Sequence, residues 1–160
     1  MFDKVEMIKT FADLAFDRFH NATKDLSEKE IDWQSTRELN SIRWILTHLS
    51  QQWNVGLHKI IKENTKCKPA GWPEDYVGNK SHTLEKIIND LSNGKNMFLS
   101  YIEGLKPADL EAEISIWGGR RKRQTVLLLY LSEIFHHEGQ IAYLKGAIKR
   151  RRQSEDHFLT

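Results

Sequence analysis

The residues with the clearest chemical potential are a carboxylate and an imidazole one helical turn apart. On a helical wheel of about 100° per residue, His137 falls in the middle of an apolar stripe and Glu133 falls at its edge. The i, i+4 spacing directs both side chains the same way, so a divalent metal ion could be chelated by the pair. The alternative is a buried Glu133–His137 hydrogen bond without metal, which the pair taken alone slightly favours. His136 points about 100° away from this stripe and receives no role.

The helix that carries this pair is the longest run of helical periodicity in the chain, from about residue 125 to residue 150. Three amphipathic segments precede it, at about residues 3–23, 41–62 and 83–104. In each of them apolar residues recur every three or four residues. Four such helices predict an all-α four-helix bundle. We assign residues 1–152 to this single domain and residues 153–160 to a short C-terminal tail.

Two connections within the bundle bear on the site. Residues 63–80 form a long loop between the second and third helices, with Trp72 in its middle, and long loops often cover a functional site. Gly118 and Gly119 lie between two extended segments and predict a small hairpin just before the fourth helix. We therefore expect the hairpin and the Trp72 loop to border the same pocket.

Composition excludes several classes of function. The 160 residues carry a formal net charge of +2, which is too small to imply a nucleic-acid partner by itself. No window reaches the roughly 18 apolar residues of a membrane span, and the N-terminal residues are acidic where a signal peptide would be apolar. Cys67 is the single cysteine, so no internal disulfide can form, and we expect a protein of the reducing cytoplasm without membrane association.

Two motifs resemble a known family. Residues 40–49, NSIRWILTHL, resemble the Ser-Ile-x-Trp-x-x-x-His-Leu signature in the second helix of the DinB-like (damage-inducible) bundle proteins. Residues 136–141, HHEGQI, resemble the family's His-His-Arg-Gly-Gln-Ile segment in the fourth helix. The order of the motifs and the long Trp-containing loop also agree, so the resemblance covers nearly the whole chain. Understood members of this family include transferases and isomerases that use bacillithiol, mycothiol or glutathione, and others are uncharacterised metal-binding proteins.

The resemblance implies a metal site of three histidines, one on the second helix and two on the fourth. His48 and His137 match this pattern, whereas Glu133 stands where the family has histidine. Without the resemblance, His48 would be a boundary residue at the margin of its helix. Two histidines and one carboxylate remain a competent set for zinc or iron(II), and the carboxylate shifts the preference toward harder ions. The expected cofactor is a divalent ion, which could be zinc, nickel, iron or manganese.

The same resemblance suggests roles for three neighbouring side chains. Gln140 lies one turn beyond the fourth-helix ligand, where it could hold an imidazole or a water molecule. Trp44 and Tyr130 are expected to line the mouth of the site or only to pack beside it.

Three classes of function remain open. In the first, a metal-bound thiolate attacks an electrophilic small molecule, as in the thiol transferases of the family, or a metal-bound water hydrolyses a substrate. In the second, a non-catalytic, stress-associated metalloprotein uses the ion to brace the second and fourth helices. In the third, the basic runs 120–123 and 149–152 bind nucleic acid, which the small net charge disfavours. The resemblance also implies a low-molecular-weight thiol as partner and a homodimer.

Overall fold

The structure is a four-helix bundle with a small hairpin at one end. A computed structural model describes residues 3–64 and 66–157 of the chain. In chain order the elements are α1 (Lys4–Thr23), α2 (Glu28–Ile31), α3 (Ile42–Gln51), a π-helical turn (Gln52–Gly56), α4 (Leu57–Ile61), α5 (Leu84–Glu103), α6 (Pro107–Glu111), β1 (Glu113–Ile116), β2 (Gly119–Lys122) and α7 (Arg123–His157). The unbroken run of α3, the π turn and α4 is the predicted second helix, and the all-α prediction is confirmed.

The long helices begin where capping side chains occur in the sequence. Asp3 accepts a hydrogen bond from the backbone N–H of Val5 at the start of α1, at 2.9 Å. Ser41 accepts one from Trp44 at the start of α3, and Thr83 accepts one from Lys86 at the start of α5, each at 3.2 Å. Each cap satisfies a backbone donor that has no partner inside its helix, which sets the first residue of the element.

Helix packing places α3 beside α7. Helix α1 packs against α7 and α5, while α3 packs against α5 and α7, so the four helices form a closed ring around one core. Phe16 of α1 makes edge-to-face contacts with Trp53 of the π turn and Phe98 of α5, at centroid distances of 4.9 and 5.9 Å. These buried rings contribute much of the apolar area that holds the helices in place.

The π turn and α5 approach each other closely at Gly94. A Cβ atom at Gly94 would lie 2.7 Å from the Cβ of Trp53, so only glycine allows this approach. Asn54 donates from Nδ2 to the carbonyl oxygens of Ser50 at 3.0 Å and of Asp90 at 2.8 Å. The widened π turn and Gly94 thus fix how the residues on either side of the π turn are oriented relative to α5.

The long loop after α4 is fastened to α3. Tyr76 is buried, and its hydroxyl donates to Oδ2 of Asp90 at 2.6 Å and accepts from the hydroxyl of Ser50 at 3.1 Å. The backbone N–H of Gly78 donates to the hydroxyl oxygen of Thr47 at 2.8 Å. The loop therefore lies along one face of α3 over several residues.

A tight turn joins β1 to β2 in the hairpin. Its two central residues are Trp117 and Gly118, with φ values of 51° and 72°, and Gly119 already pairs with Ile116 as the first residue of β2. Two positive φ values match the type I′ turn that suits a two-residue hairpin. The predicted hairpin before the fourth helix is confirmed, with Trp117 and Gly118 in its turn and Gly119 at the start of β2.

Helix α7 continues beyond the predicted domain end at residue 152. Residues 153–157 of the predicted tail are helical, and residues 158–160 lie outside the described residues. Nε of Arg151 donates to Glu155 at 2.8 Å, an i, i+4 pair that supports the last turns. Within the described ranges, no helix is long and apolar enough to cross a membrane.

Candidate metal centre

The packing of α3 against α7 brings three potential metal ligands together. His48, Glu133 and His137 each offer a donor atom, and the three atoms lie within 4.8 Å of one another. The two imidazole rings have centroids 5.0 Å apart at an interplanar angle of 66°. Nε2 of His137 lies 3.5 Å from Oε2 of Glu133, which is longer than an ordinary hydrogen bond. The predicted convergence of the three side chains is therefore present in the fold.

The spacing and exposure of these donors suit a bound ion. Two donors bonded at about 2 Å to one ion lie about 3–4 Å apart, so a small side-chain movement would close the set. The side chain of Glu133 is 51% exposed and free to make that movement, whereas that of His137 is only 7% exposed. A buried hydrogen-bonded Glu133–His137 pair, the alternative drawn from the sequence, does not describe this arrangement.

Gln140 orients the buried imidazole. Nδ1 of His137 donates to Oε1 of Gln140 at 2.8 Å, which leaves the lone pair of Nε2 on the side of Glu133. The amide nitrogen of Gln140 donates to Nε2 of His136 at 3.1 Å, and the His136 ring packs against that of His137 at 4.9 Å. His136 thus supports the site although it received no role from the sequence, where its i, i+4 spacing to Gln140 was the available signal.

Trp44 orients the other imidazole. Its ring stacks on His48 with centroids 4.9 Å apart and an interplanar angle of 8°. On its other side, Gly78 of the long loop approaches so closely that a Cβ there would lie 3.1 Å from Cδ1 of Trp44. The loop therefore holds the tryptophan, and the tryptophan limits the rotation of the His48 ring.

Burial keeps both histidines neutral near pH 7. It is the largest cause lowering the pKa of His48 and of His137, while the nearby carboxylate of Glu133 acts in the opposite direction on both. Neutral imidazole is the form that binds a metal, so no proton has to be displaced from these rings before an ion enters.

A cavity lies beside the hairpin and is lined by residues of the π turn, α4 and α7. Tyr130 and Trp117 contribute to its wall, and their rings stack with centroids 5.9 Å apart. Gln51 also lines it, and the indole N–H of Trp72 donates to the side-chain oxygen of Gln51. The hairpin borders this cavity as expected. Trp72 does not line the cavity and is connected to it by its hydrogen bond to Gln51.

The basic run before α7 is largely paired. Arg120 lies 3.1 Å from Glu113, Lys122 lies 2.7 Å from Glu111, and Arg123 contacts Glu63. These ion pairs hold the hairpin and the start of α7 to their surroundings.

Comparison with known proteins agrees with this architecture. A family model described as the DinB superfamily matches residues 12–141, a range that includes His48, Glu133 and His137. The crystal structure of a conserved protein from Enterococcus faecalis has the same fold, with a TM-score of 0.68 over 90% of this chain and 96% of that one. At 13% sequence identity, this likeness shows the fold alone. No curated protein matches the chain.

Proposed function

The chain belongs to the DinB superfamily, and on that premise we propose that it binds a single divalent metal ion through His48, Glu133 and His137. The observation that carries the proposal is the convergence of the three donor atoms within 4.8 Å. Two neutral imidazoles and one carboxylate suit zinc, nickel, iron or manganese. Three protein ligands leave room at the ion for a substrate, which is the arrangement of catalytic rather than structural sites.

The activity that this site supports best is transfer of a low-molecular-weight thiol to an electrophilic small molecule. A bound divalent ion supplies Lewis acidity that lowers the pKa of a thiol, or of water for the related hydrolysis. Gln140 and Trp44 hold the two imidazoles in fixed orientations, and preorganised ligands are what such chemistry requires. The exposed side of Glu133 leaves the centre open to solvent, so substrates can reach it.

The experiment for this activity is conjugation of a chromogenic electrophile to a panel of small thiols. Wild-type protein should catalyse the reaction with at least one thiol, lose activity with chelator and regain it when metal is restored. His48→Ala should remain inactive after metal is added, whereas His20→Ala, on the exposed side of α1, should behave as wild type. Metal-loaded protein that turns over no thiol would contradict the transferase assignment.

A non-catalytic metalloprotein is the second candidate. It is supported by the position of the donors on two helices that are far apart in the sequence, so that an ion would brace α3 against α7. Metal-dependent stabilisation without turnover of any thiol is the result that this candidate predicts. Nucleic-acid binding is a weaker third candidate because the run 120–123 is mostly paired with carboxylates. A salt-dependent shift of duplex DNA at low ionic strength would revive it.

A cytoplasmic homodimer is part of the same proposal. The lone Cys67 suits a reducing compartment. The outer face of α1 supports self-association, since Met7 is 45% and Leu14 is 53% exposed and Phe11 lies between them. Light scattering should give the mass of a dimer for wild type and of a monomer for Leu14→Lys, and a monomeric wild type would contradict the dimer.

A further inference from the structure

The walls of the cavity beside the hairpin lie one helical turn from two of the candidate metal ligands. The cavity has a volume of about 290 Å³ and is lined from one side by the π turn and α4 and from the other by Tyr130 and the hairpin tip. Gln52 follows His48 by four residues and Tyr130 precedes Glu133 by three, so each wall continues directly from a ligand-bearing turn. A molecule in this cavity would lie next to any ion held by the three donors.

The hairpin presents a strained aromatic ring to the cavity. Trp117 has a φ of 51°, which a bulky side chain rarely adopts, although asparagine would satisfy the same turn without strain. Its side chain is 53% exposed and stacks on Tyr130 at an interplanar angle of 20°. Strained residues of this kind occur preferentially where they contact ligands. The two rings offer an aromatic surface on which a flat apolar group can stack.

The floor of the cavity is kept open for the Tyr130 hydroxyl. A Cβ atom at Gly56 would lie 2.4 Å from that hydroxyl oxygen and 2.9 Å from Oε1 of Gln52. Among the described residues the Tyr130 hydroxyl has no hydrogen-bond partner, and burial raises the pKa of this group to about 12. The hydroxyl therefore stays protonated at neutral pH and is available to a ligand, as is the amide of Gln52.

One end of the cavity carries positive charge. Lys59 lines it three residues beyond Gly56, and the guanidinium of Arg121 lies 6.0 Å from the centre of the Trp117 ring. Neither cation has a carboxylate partner in the described part of the chain, although three neighbouring bases of the run 120–123 do. Glu133 does not line the cavity and lies one helical turn after Tyr130 on α7. A negatively charged group would therefore be favoured at Lys59 and disfavoured near an unmetallated Glu133.

We infer that this cavity binds an elongated organic anion with a planar apolar body, its carboxylate at Lys59 and its other end directed at the metal centre. His48 and Lys59 are eleven residues apart on one continuous helix, about 16 Å along its axis. Such a span suits an aromatic or conjugated carboxylate stacked on Trp117. The anion would be the electrophilic substrate of the proposed transferase, and this part of the inference rests on the proposed function. Binding of the anion in the cavity does not require the metal ion.

The test is a calorimetric titration of chelator-treated, metal-free protein with 2-naphthoate and with the neutral 2-naphthalenemethanol. Three variants are compared with wild type: Lys59→Gln, Trp117→Asn and the control Lys62→Gln. Lys62 is exposed directly after the end of the same helix and does not line the cavity. Wild type should bind 2-naphthoate more tightly than the alcohol, and added salt should weaken this preference.

Each variant has a distinct expected result. Lys59→Gln should weaken 2-naphthoate about five- to tenfold and the alcohol less than twofold, since it removes only the charge. Trp117→Asn should weaken both probes about three- to tenfold through loss of stacking, while its unfolding temperature stays equal or rises because asparagine tolerates the turn. Lys62→Gln should bind as wild type.

The inference is overturned if 2-naphthoate does not bind wild type at millimolar concentration, or if Lys59→Gln and Trp117→Asn bind it as tightly as wild type does. Because these titrations contain no metal, their outcome is separate from that of the proposed function. Binding of 2-naphthoate with no metal uptake would overturn the metal proposal alone. Metal uptake without 2-naphthoate binding would overturn the cavity proposal alone.

Discussion

Glu133 is the residue that distinguishes this candidate centre from the three-histidine pattern of the resembled family. It is also the most exposed of the three donors, with 51% of its side chain open to solvent, and its carboxylate makes no hydrogen bond to any residue that the structure describes. In the proposed metal site, Glu133 would therefore contribute through its negative charge more than through preorganisation. Substitutions that change charge and donor type separately can isolate that contribution.

Glu133→Gln should lower metal affinity, and Glu133→His should retain it. Glutamine keeps the shape of the side chain but replaces a charged donor by a neutral amide, which is a poorer ligand for a divalent ion. We expect a loss of at least about tenfold, since even changes to groups behind a ligand cost that much. Histidine restores the family pattern and suits zinc and nickel. Competition titrations with a chromogenic chelator measure the metal affinities of both variants. Equal affinities for wild type and Glu133→Gln would remove Glu133 from the ligand set.

The partly buried His48 and the buried His137 should make the metal-free protein less stable in mild acid. Because burial lowers the pKa of His48 and of His137, the unfolded chain takes up protons below about pH 6.5 that the folded chain does not. Their contribution is absent above that pH, and the free energy of unfolding falls as the pH decreases from there toward the folded pKa values. Urea unfolding between pH 8 and pH 5 should show a shallower fall for His137→Gln. Parallel curves for the two proteins would show that His137 is not responsible.

The candidate ligands were predicted from the sequence by two different signals, helical spacing and a family motif. Glu133 and His137 can be found from helical spacing alone, because both lie on one element. His48 required the motif, since no single-helix pattern reports which side chain a neighbouring helix brings close. His136 was missed although its i, i+4 spacing to Gln140 was available, because spacing does not say which rotamers bring the two side chains into contact. Trp117 was missed because its partner, the Tyr130 ring, depends on where the hairpin lies.

At the scale of elements, the π turn between α3 and α4 is the feature that links His48 to the cavity. Its extra residue cannot be seen in the apolar periodicity, because α3 and α4 both continue the same buried face. The helices, their caps and the existence of the hairpin are predictable from local patterns. The position of the hairpin turn is not, because its tryptophan contradicts the local preference that such a prediction uses.

Two glycines in long helices should respond in opposite directions to alanine. Gly94→Ala would place a Cβ 2.7 Å from Trp53, so α5 and the π turn must separate, and we expect a loss of about 1–3 kcal/mol. Gly139→Ala meets no atom within 4 Å on an exposed turn of α7 and should add about 0.5–1 kcal/mol. Chemical denaturation of both variants measures the difference. A Gly94→Ala protein as stable as wild type would show that this close approach does not hold the π turn.

At the scale of the whole molecule, the bundle is the most predictable feature. Four amphipathic segments can bury their apolar faces together in few ways, which limits the arrangements that they can adopt. The ring of contacts that sets α3 beside α7 then brings donors from opposite ends of the sequence together. The preference of the proposed site for one ion or one substrate would depend on finer features, namely the charge of the donor set and the shape of the cavity.

The most direct test of the account is the metal content of untagged protein. Chelator-treated wild type, His48→Ala, His137→Ala and the control His20→Ala are each incubated with zinc, nickel, manganese or iron(II), passed through a desalting column and measured by elemental analysis. The account predicts a single ion per chain of at least one metal in wild type and His20→Ala, and little in the two ligand variants. Wild type that retains none of the four metals, or ligand variants that retain as much as wild type, would contradict it.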